Sequence, residues 1–250
     1  MRIIFSLCMA GFLIALTGCD KNELPVPLDY TSEKAKLKIN YASAYAANPT
    51  VMLKINNNAV SSPIKYAYPF PGGGLNTQGG SQPDYLSIEK GNNNISLVIP
   101  SADFKTDSIV LYTGTFNLTD NDYYTLHLAD TANNTQQVLL KEDPATPDSG
   151  MSRYRFVNLI PNLPAADLYF NNVKVASNVA YMSASDYFTV NFPTASSWAI
   201  RAAGAAPTST AIATYTNTSP NQRVLTVYAR GYVGSADANR KPNVSLYYVR

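Results

Sequence analysis

Residues 186–192 read Asp-Tyr-Phe-Thr-Val-Asn-Phe, "DYFTVNF". Apolar and polar side chains alternate through it, so Phe188, Val190 and Phe192 are expected on a core face and Tyr187, Thr189 and Asn191 outside. That period of two is the mark of a half-buried strand. Comparable runs predict about seven strands in this half of the chain, at 153–160, 166–171, 173–177, 186–192, 196–204, 210–218 and 223–232, with "VSLYYVR" at the end as an extra edge. The stretches "LKINNNAV" (53–60) and "LYFNNVKV" (168–175) each place paired asparagines between apolar residues. Asn tolerates the left-handed backbone of a two-residue hairpin turn. Eighteen tyrosines, abundant Asn, Thr and Ser, and no long Leu/Glu/Lys/Ala pattern complete an all-β composition. Seven short strands with turn signals between them suggest an immunoglobulin-like β-sandwich; a barrel has the same strand count and stays open.

The two halves of the chain repeat one another in order. "AKLKINY" (35–41) answers "SRYRFVN" (152–158), with Lys36 and Lys38 opposite Arg153 and Arg155. The hairpins follow, then "PDYLSI" (83–88) with "SDYFTV" (185–190), "VLYTGT" (110–115) with "ATYTNT" (213–218), and "YYTLHLAD" (123–130) with "VLTVYARG" (224–231). This order indicates a tandem duplication, and two copies are too few for a solenoid, so each is expected to be a self-contained domain. "KEDPATPDSG" (141–150), rich in Pro, Asp and Gly, marks the boundary. The expected organisation is a first sandwich over 35–143, a linker over 144–150 and a second sandwich over 151–250.

The second copy, "RYRFVNLIPNLPAADLYFNNVKVASNVAYMSASDYFTV" followed by "RVLTVYARG", resembles the domain of unknown function 4397 of exported bacterial proteins. The resemblance covers 152–250, and 35–143 is a more divergent copy. It implies a sandwich-like β domain in an extracytoplasmic setting and brings no catalytic residues or cofactor. Met52 stands where the second copy has Asp167, so no chemistry shared by both copies rests on that carboxylate.

The N-terminus carries an address. Arg2 precedes an apolar run from Ile3 to Leu16, which ends at Thr17, Gly18 and Cys19. This is a secretory signal over 1–18, too short for the ~20 apolar residues of a membrane-spanning helix. Leu16-Thr17-Gly18-Cys19 resembles the lipobox of bacterial lipoproteins, which implies a diacylglyceryl group on Cys19 and cleavage before it. Each buried methylene contributes about 0.8 kcal/mol, so two or three acyl chains anchor stably. Residues 19–34 would then be a lipidated tether and the membrane a partner. The location expected is the cell envelope, as an outer-membrane lipoprotein. Cys8 leaves with the signal, so the mature chain has no second cysteine for a disulfide.

Chemistry-bearing residues are sparse. The formal charge of +2 is spread over interspersed signs and offers no basic patch for nucleic acid. The only histidine, His127, lies in a strand pattern opposite Tyr228. Asp84 and Asp186 recur at the same place in both copies, as strand-start residues do. "TDND" (119–122) alternates carboxylates but lacks the glycine and distant glutamate of a calcium loop. No catalytic residue, metal site or cofactor is therefore assigned. One segment has no counterpart: "PIKYAYPFPGGGLNTQGGSQP" (63–83) is longer by about 13 residues than its partner. Tyr66, Tyr68 and Phe70 alternate before its glycines. They are the candidate ligand-binding residues, expected to be solvent-accessible at the base of a mobile loop. The function expected is a non-catalytic binding module for a glycan or surface protein. A fimbrillin-like structural subunit is the alternative, and a hydrolase is disfavoured by the lone histidine.

Overall fold

A computed structural model describes residues 34–103, 106–131, 134–192, 195–218 and 220–250. The signal sequence, Cys19 and the tether as far as residue 33 lie outside the described residues. The first copy supplies β1 (Lys34–Tyr41), β2 (Met52–Ile55), β3 (Asn58–Ala59), β4 (Tyr68–Phe70), β5 (Gly74–Leu75), β6 (Leu86–Glu89), β7 (Gly91–Pro100), β8 (Asp107–Leu118), β9 (Tyr123–Ala129) and β10 (Gln136–Glu142). The second supplies β11 (Met151–Asn158), β12 (Ala165–Phe170), β13 (Val173–Ala180), β14 (Ser183–Ala184), β15 (Phe188–Asn191), β16 (Ser196–Ala202), β17 (Ala213–Asn217), β18 (Val224–Arg230) and β19 (Asn243–Tyr248). The protein is all-β, with no α-helix among the described residues.

Both copies use the same pairings. The outer sheets run β3-β2-β7-β8 and β13-β12-β16-β17; the inner sheets run β10-β9-β1 and β19-β18-β11, flanked by β4 with β6 and by β14 with β15. At the centre of each inner sheet the first strand of the copy pairs in parallel with a late one, Lys36 opposite Tyr123 and Arg153 opposite Val224. Each copy has in common with an immunoglobulin-like sandwich its two stacked sheets. The predicted hairpins form: Asn56 and Asn57 have φ of 50° and 67°, Asn171 and Asn172 of 47° and 65°. Two successive residues at positive φ give the turn whose twist matches that of the flanking strands.

Three apolar clusters fill the layers. Leu37, Ile39, Tyr41, Leu53, Ile95 and Leu126 join the sheets of the first copy, and Tyr154, Phe156, Leu168, Trp198, Ile200 and Val227 those of the second. Trp198 is fully buried between Tyr154 and Phe170, with centroids at 4.8 and 4.7 Å, and donates from Nε1 to Asn217 Oδ1 at 3.0 Å. The third cluster lies between the two inner sheets and includes Ala42, Ala129, Val157, Val224, Tyr228 and Tyr247. The inner sheets are thus buried on both faces, and Glu33–Arg250 is one compact unit.

That burial changes the reading of "DYFTVNF". Phe188 and Val190 pack on the second core as expected, but Phe192 is 41% exposed. Tyr187, expected outside, enters the layer between the copies, where the guanidinium carbons of Arg153 and Arg155 lie 4.7 and 5.1 Å from its ring centroid. A period of two says which residues share a face; it does not say that the second face meets water.

The long segment differs from expectation too. Its strand β5 adds to the edge of β19, Leu75 opposite Leu246 and Gly74 opposite Tyr247, so a strand from the first copy completes a sheet of the second. A side chain on Gly74 would drive into the carbonyl of Leu246, and on Gly73 into that of Gly80. The glycines serve close packing here, not the looseness inferred from their entropy. Asn76, at φ 55°, fastens the seat by donating to Val244 O at 2.7 Å, while its carbonyl accepts from Ser245 Oγ and Arg230 Nη2 at 2.7 and 3.0 Å.

Candidate functional site

The inner sheets face each other through residues that alternate with the core. From the first copy come Lys38, Asn40, Thr125 and His127, and from the second Arg155, Thr226, Tyr228 and Tyr247. Asn40 Nδ2 donates to His127 Nδ1 at 3.0 Å, which leaves the His127 proton on Nε2, 3.2 Å from Tyr247 Oη. Tyr247 donates to Glu142 Oε1 at 2.9 Å; Glu142 Oε2 accepts from Tyr187 at 2.7 Å and pairs with Arg155 Nη2 at 2.6 Å. Burial, helped by the Arg155 charge, pushes His127 down to about 3, so the imidazole is neutral. Burial also lowers Lys38 to about 8, against the opposing pull of Asp84 and Glu142. His127 and Tyr247 have no exposed surface. The chain of hydrogen bonds resembles a catalytic relay in composition, but no substrate reaches it. Its work is to join the copies.

Three other carboxylates, those of Asp167, Asp120 and Asp122, are held in ion pairs. Asp167 is 1% exposed and holds the bulged pairing of β12 with β13: it pairs with Lys174 at 2.6 Å and accepts from Asn178 N and Gly204 N at 2.8 and 3.2 Å. Burial works to raise its pKa, and the bonds from Lys174, Asn178 and Gly204 outweigh burial and hold it below the ordinary range. In "TDND", Asp120 meets Lys90 at 3.4 Å and Asp122 meets Lys141 at 2.6 Å around Asn121 at φ 58°. Asp84 and Asp186 are exposed and give their backbone carbonyls to Lys38 Nζ and Ser185 Oγ. Among the described residues no group of three His, Cys, Asp or Glu side chains is placed to hold a metal.

The three aromatic candidates are not the exposed platform expected. Tyr66 is only 6% exposed and belongs to the first core, against which Tyr68 and Phe70 pack half-buried. Between 66 and 70 the chain must pair β4 with β1 and still turn toward β5, and this draws the aromatic faces inward.

What the segment does build is a cavity of about 350 Å³ between the copies. Asn48, Lys65, Tyr66 and Gln78 line it from the first copy, Arg230 and Asn239 from the second. Ala67, also on its wall, has φ 64°, a left-handed conformation uncommon outside glycine and Asn. The Tyr66 hydroxyl and Asn48 Oδ1 are buried with unmet hydrogen-bonding capacity. Arg230 lies over the Tyr66 ring, 5.0 Å from its centroid, and is held by Nε to Ser245 Oγ at 2.8 Å and Nη2 to Asn76 O at 3.0 Å. Burial raises the Tyr66 hydroxyl, opposed by the Arg230 charge and by a hydrogen bond from the Arg230 guanidinium, so it stays protonated with its own proton left to donate. A larger open groove, about 600 Å³, runs between β13 and β14–β15 of the second copy and includes Ser177, Ser185 and Asp186. No cation lines it. Sequence reasoning reached Tyr66 by its place in the unmatched segment; Lys65 lay beside it, but Arg230 and Asn239 carry no signal tying them to a segment so distant along the chain.

No curated protein sequence matches this chain. Among solved structures, one described as alpha-glucan recognition by family 41 carbohydrate-binding modules from streptococcal virulence factors aligns at 12% identity and a TM-score of 0.26, covering 84% of this chain and 96% of that one. A second, alpha-glucan binding by a streptococcal virulence factor, aligns at 9% identity and a TM-score of 0.23, covering 85% and 96%. The family described as "Domain of unknown function (DUF4397)" matches residues 35–169 and again 152–243. With nearly all of the described residues matched and the same strand pairings in both halves, the chain belongs to the DUF4397 family and carries its domain twice in tandem.

Proposed function

We propose that this protein is a non-catalytic binding module with a glycan ligand, held by lipid on Cys19 at a Gram-negative outer membrane. The observation that carries the binding role is the cavity between the copies. There a segment without counterpart, two buried polar atoms with unmet hydrogen-bonding capacity and two cations that make no ion pair among the described residues converge. Its volume lies at the small end of the roughly 300–1,000 Å³ range of ligand pockets and suits a single ring, as at the end of a larger chain. The buried His127 relay speaks for structure over turnover, since general acid and base groups must reach the proton they move.

Incubating the detergent-solubilised full chain with an array of bacterial and host glycans tests the reading. Retention of a defined subset, recovered chemically unchanged, is the expected result. Failure to retain any glycan would overturn the ligand class, and cleavage of a retained one would overturn the non-catalytic role. The anchor is tested apart from the ligand. Cys19→Ser should abolish incorporation of a labelled fatty acid and leave precursor or released protein, whereas label retained in the variant would refute it.

A further inference from the structure

The duplication supplies an internal control for the cavity. Ala67 donates to Tyr41 O at 2.9 Å and Met182 to Asn158 O at 2.8 Å, both from positive φ, so Ala67 and Met182 occupy the same place in the two copies. Tyr66 therefore corresponds to Tyr181, and Lys65 to Ala180. The parallel pairings put Asn40 opposite His127 and Val157 opposite Tyr228, which makes Arg230 the counterpart of Ala129. Each copy thus keeps the tyrosine, and only one of the two places has the cations. At the other, Asp130 lies near Tyr181 and raises its pKa together with burial. Lys65 and Arg230 make no ion pair among the described residues.

The two atoms with unmet capacity define what would complete the site. The Tyr66 hydroxyl can donate and faces positive surroundings, which an oxyanion satisfies. Asn48 Oδ1 can only accept, which calls for a hydroxyl. Buried polar groups left unpaired cost free energy, so a ligand offering both gains what the empty site forgoes. We propose that the cavity binds the carboxylate-bearing ring of an acidic sugar. The carboxylate lies against Tyr66, Lys65 and Arg230, a ring hydroxyl donates to Asn48 Oδ1, and the amides of Gln78 and Asn239 face the remaining hydroxyls. This rests on the glycan-binding reading and narrows it to uronic-acid chemistry.

The test is a titration of the full chain with glucuronate, glucose, N-acetylglutamate and inorganic phosphate, followed by NMR or calorimetry. Glucuronate should bind at least about tenfold more tightly than the other three, as expected for charge-assisted hydrogen bonds with partners on both sides. Tyr66→Phe removes a hydroxyl whose internal hydrogen-bonding neighbour is the Arg230 guanidinium, itself held by Ser245 and Asn76. It should leave the melting temperature unchanged while weakening glucuronate about tenfold or more, and Lys65→Gln should weaken it severalfold. Equal binding of glucose would overturn the anionic character and leave the glycan reading intact. Equal binding of N-acetylglutamate or phosphate would overturn the sugar assignment. Unchanged glucuronate affinity in Tyr66→Phe would place the ligand elsewhere. Absence of binding to any of the four, with array glycans still retained, overturns this site alone; loss of array binding as well overturns the function.

Discussion

Glu142→Ala is expected to cost about 3–5 kcal/mol, a large part of the roughly 5–15 kcal/mol that holds a protein folded. Glu142 is 3% exposed and, among the described residues, is the carboxylate paired with Arg155, itself 6% exposed. Removing it leaves a buried guanidinium without its counter-charge and takes the acceptor from Tyr187 and Tyr247 together. Lys38, a second buried cation that feels Glu142, adds to the imbalance. The double replacement Glu142→Leu with Arg155→Met should recover most of the loss, because desolvating a pair offsets much of its attraction. Urea unfolding of the three proteins decides it. A single variant within about 0.5 kcal/mol of wild type would show that the ion pair is solvated and not a joint between the copies.

Acid should weaken the fold well before the carboxylates titrate. The His127 pKa is about 3 in the folded chain and 6.5 for an unperturbed imidazole, with burial the main cause. The unfolded chain therefore binds more protons between these values, and stability is full above pH 6.5 and falls as pH drops through the window. Integrating the linkage gives a loss of about 2 kcal/mol between pH 7.5 and 5, and about 3 kcal/mol by pH 4. Lys38, lowered to about 8, acts in a separate alkaline window, where stability rises from pH 8 toward 10.5. The groups packed around His127 are Asn40, Tyr228 and Tyr247, with the Arg155 charge beyond. Unfolding free energies at pH 7.5, 6 and 5 should trace the slope in wild type and lose it in His127→Gln. A variant that keeps the slope would assign it to another group.

The strands of each copy were readable because their causes are local. Alternation in β1 and β11, paired asparagines after β2 and β12, and the repeated order of segments each depend on a few neighbouring residues. The stacking of the inner sheets was not readable, because alternation is the same whether the second face meets water or another sheet. Lys36, Lys38, Arg153 and Arg155 stood out only as matching basic residues of the two copies; in the structure Lys38 is fully buried and Arg155 nearly so. The aromatics of the long segment failed for a related reason. Five glycines among them argued for looseness, while Gly73 and Gly74 are required by backbone that only the three-dimensional pairing with β19 brings near. Half of the cavity, Arg230 and Asn239, depends on the same pairing.

The seating of β5 on β19 also imposes a schedule. Asn76 and Val244 are 168 residues apart along the chain, and their contact closes only when the last strand of the second copy has arrived. A chain that emerges from its N-terminus can form its hairpins early, since local contacts close fastest. β4 can pair with β1 inside the first copy, but β5 must wait through the whole of the second copy for its partner strand, and the cavity wall contributed by Arg230 and Asn239 waits with it. On the proposed function, ligand affinity would be withheld from every partial product, and a molecule clipped ahead of β19 would have both sandwiches' hairpins without the seat of β5.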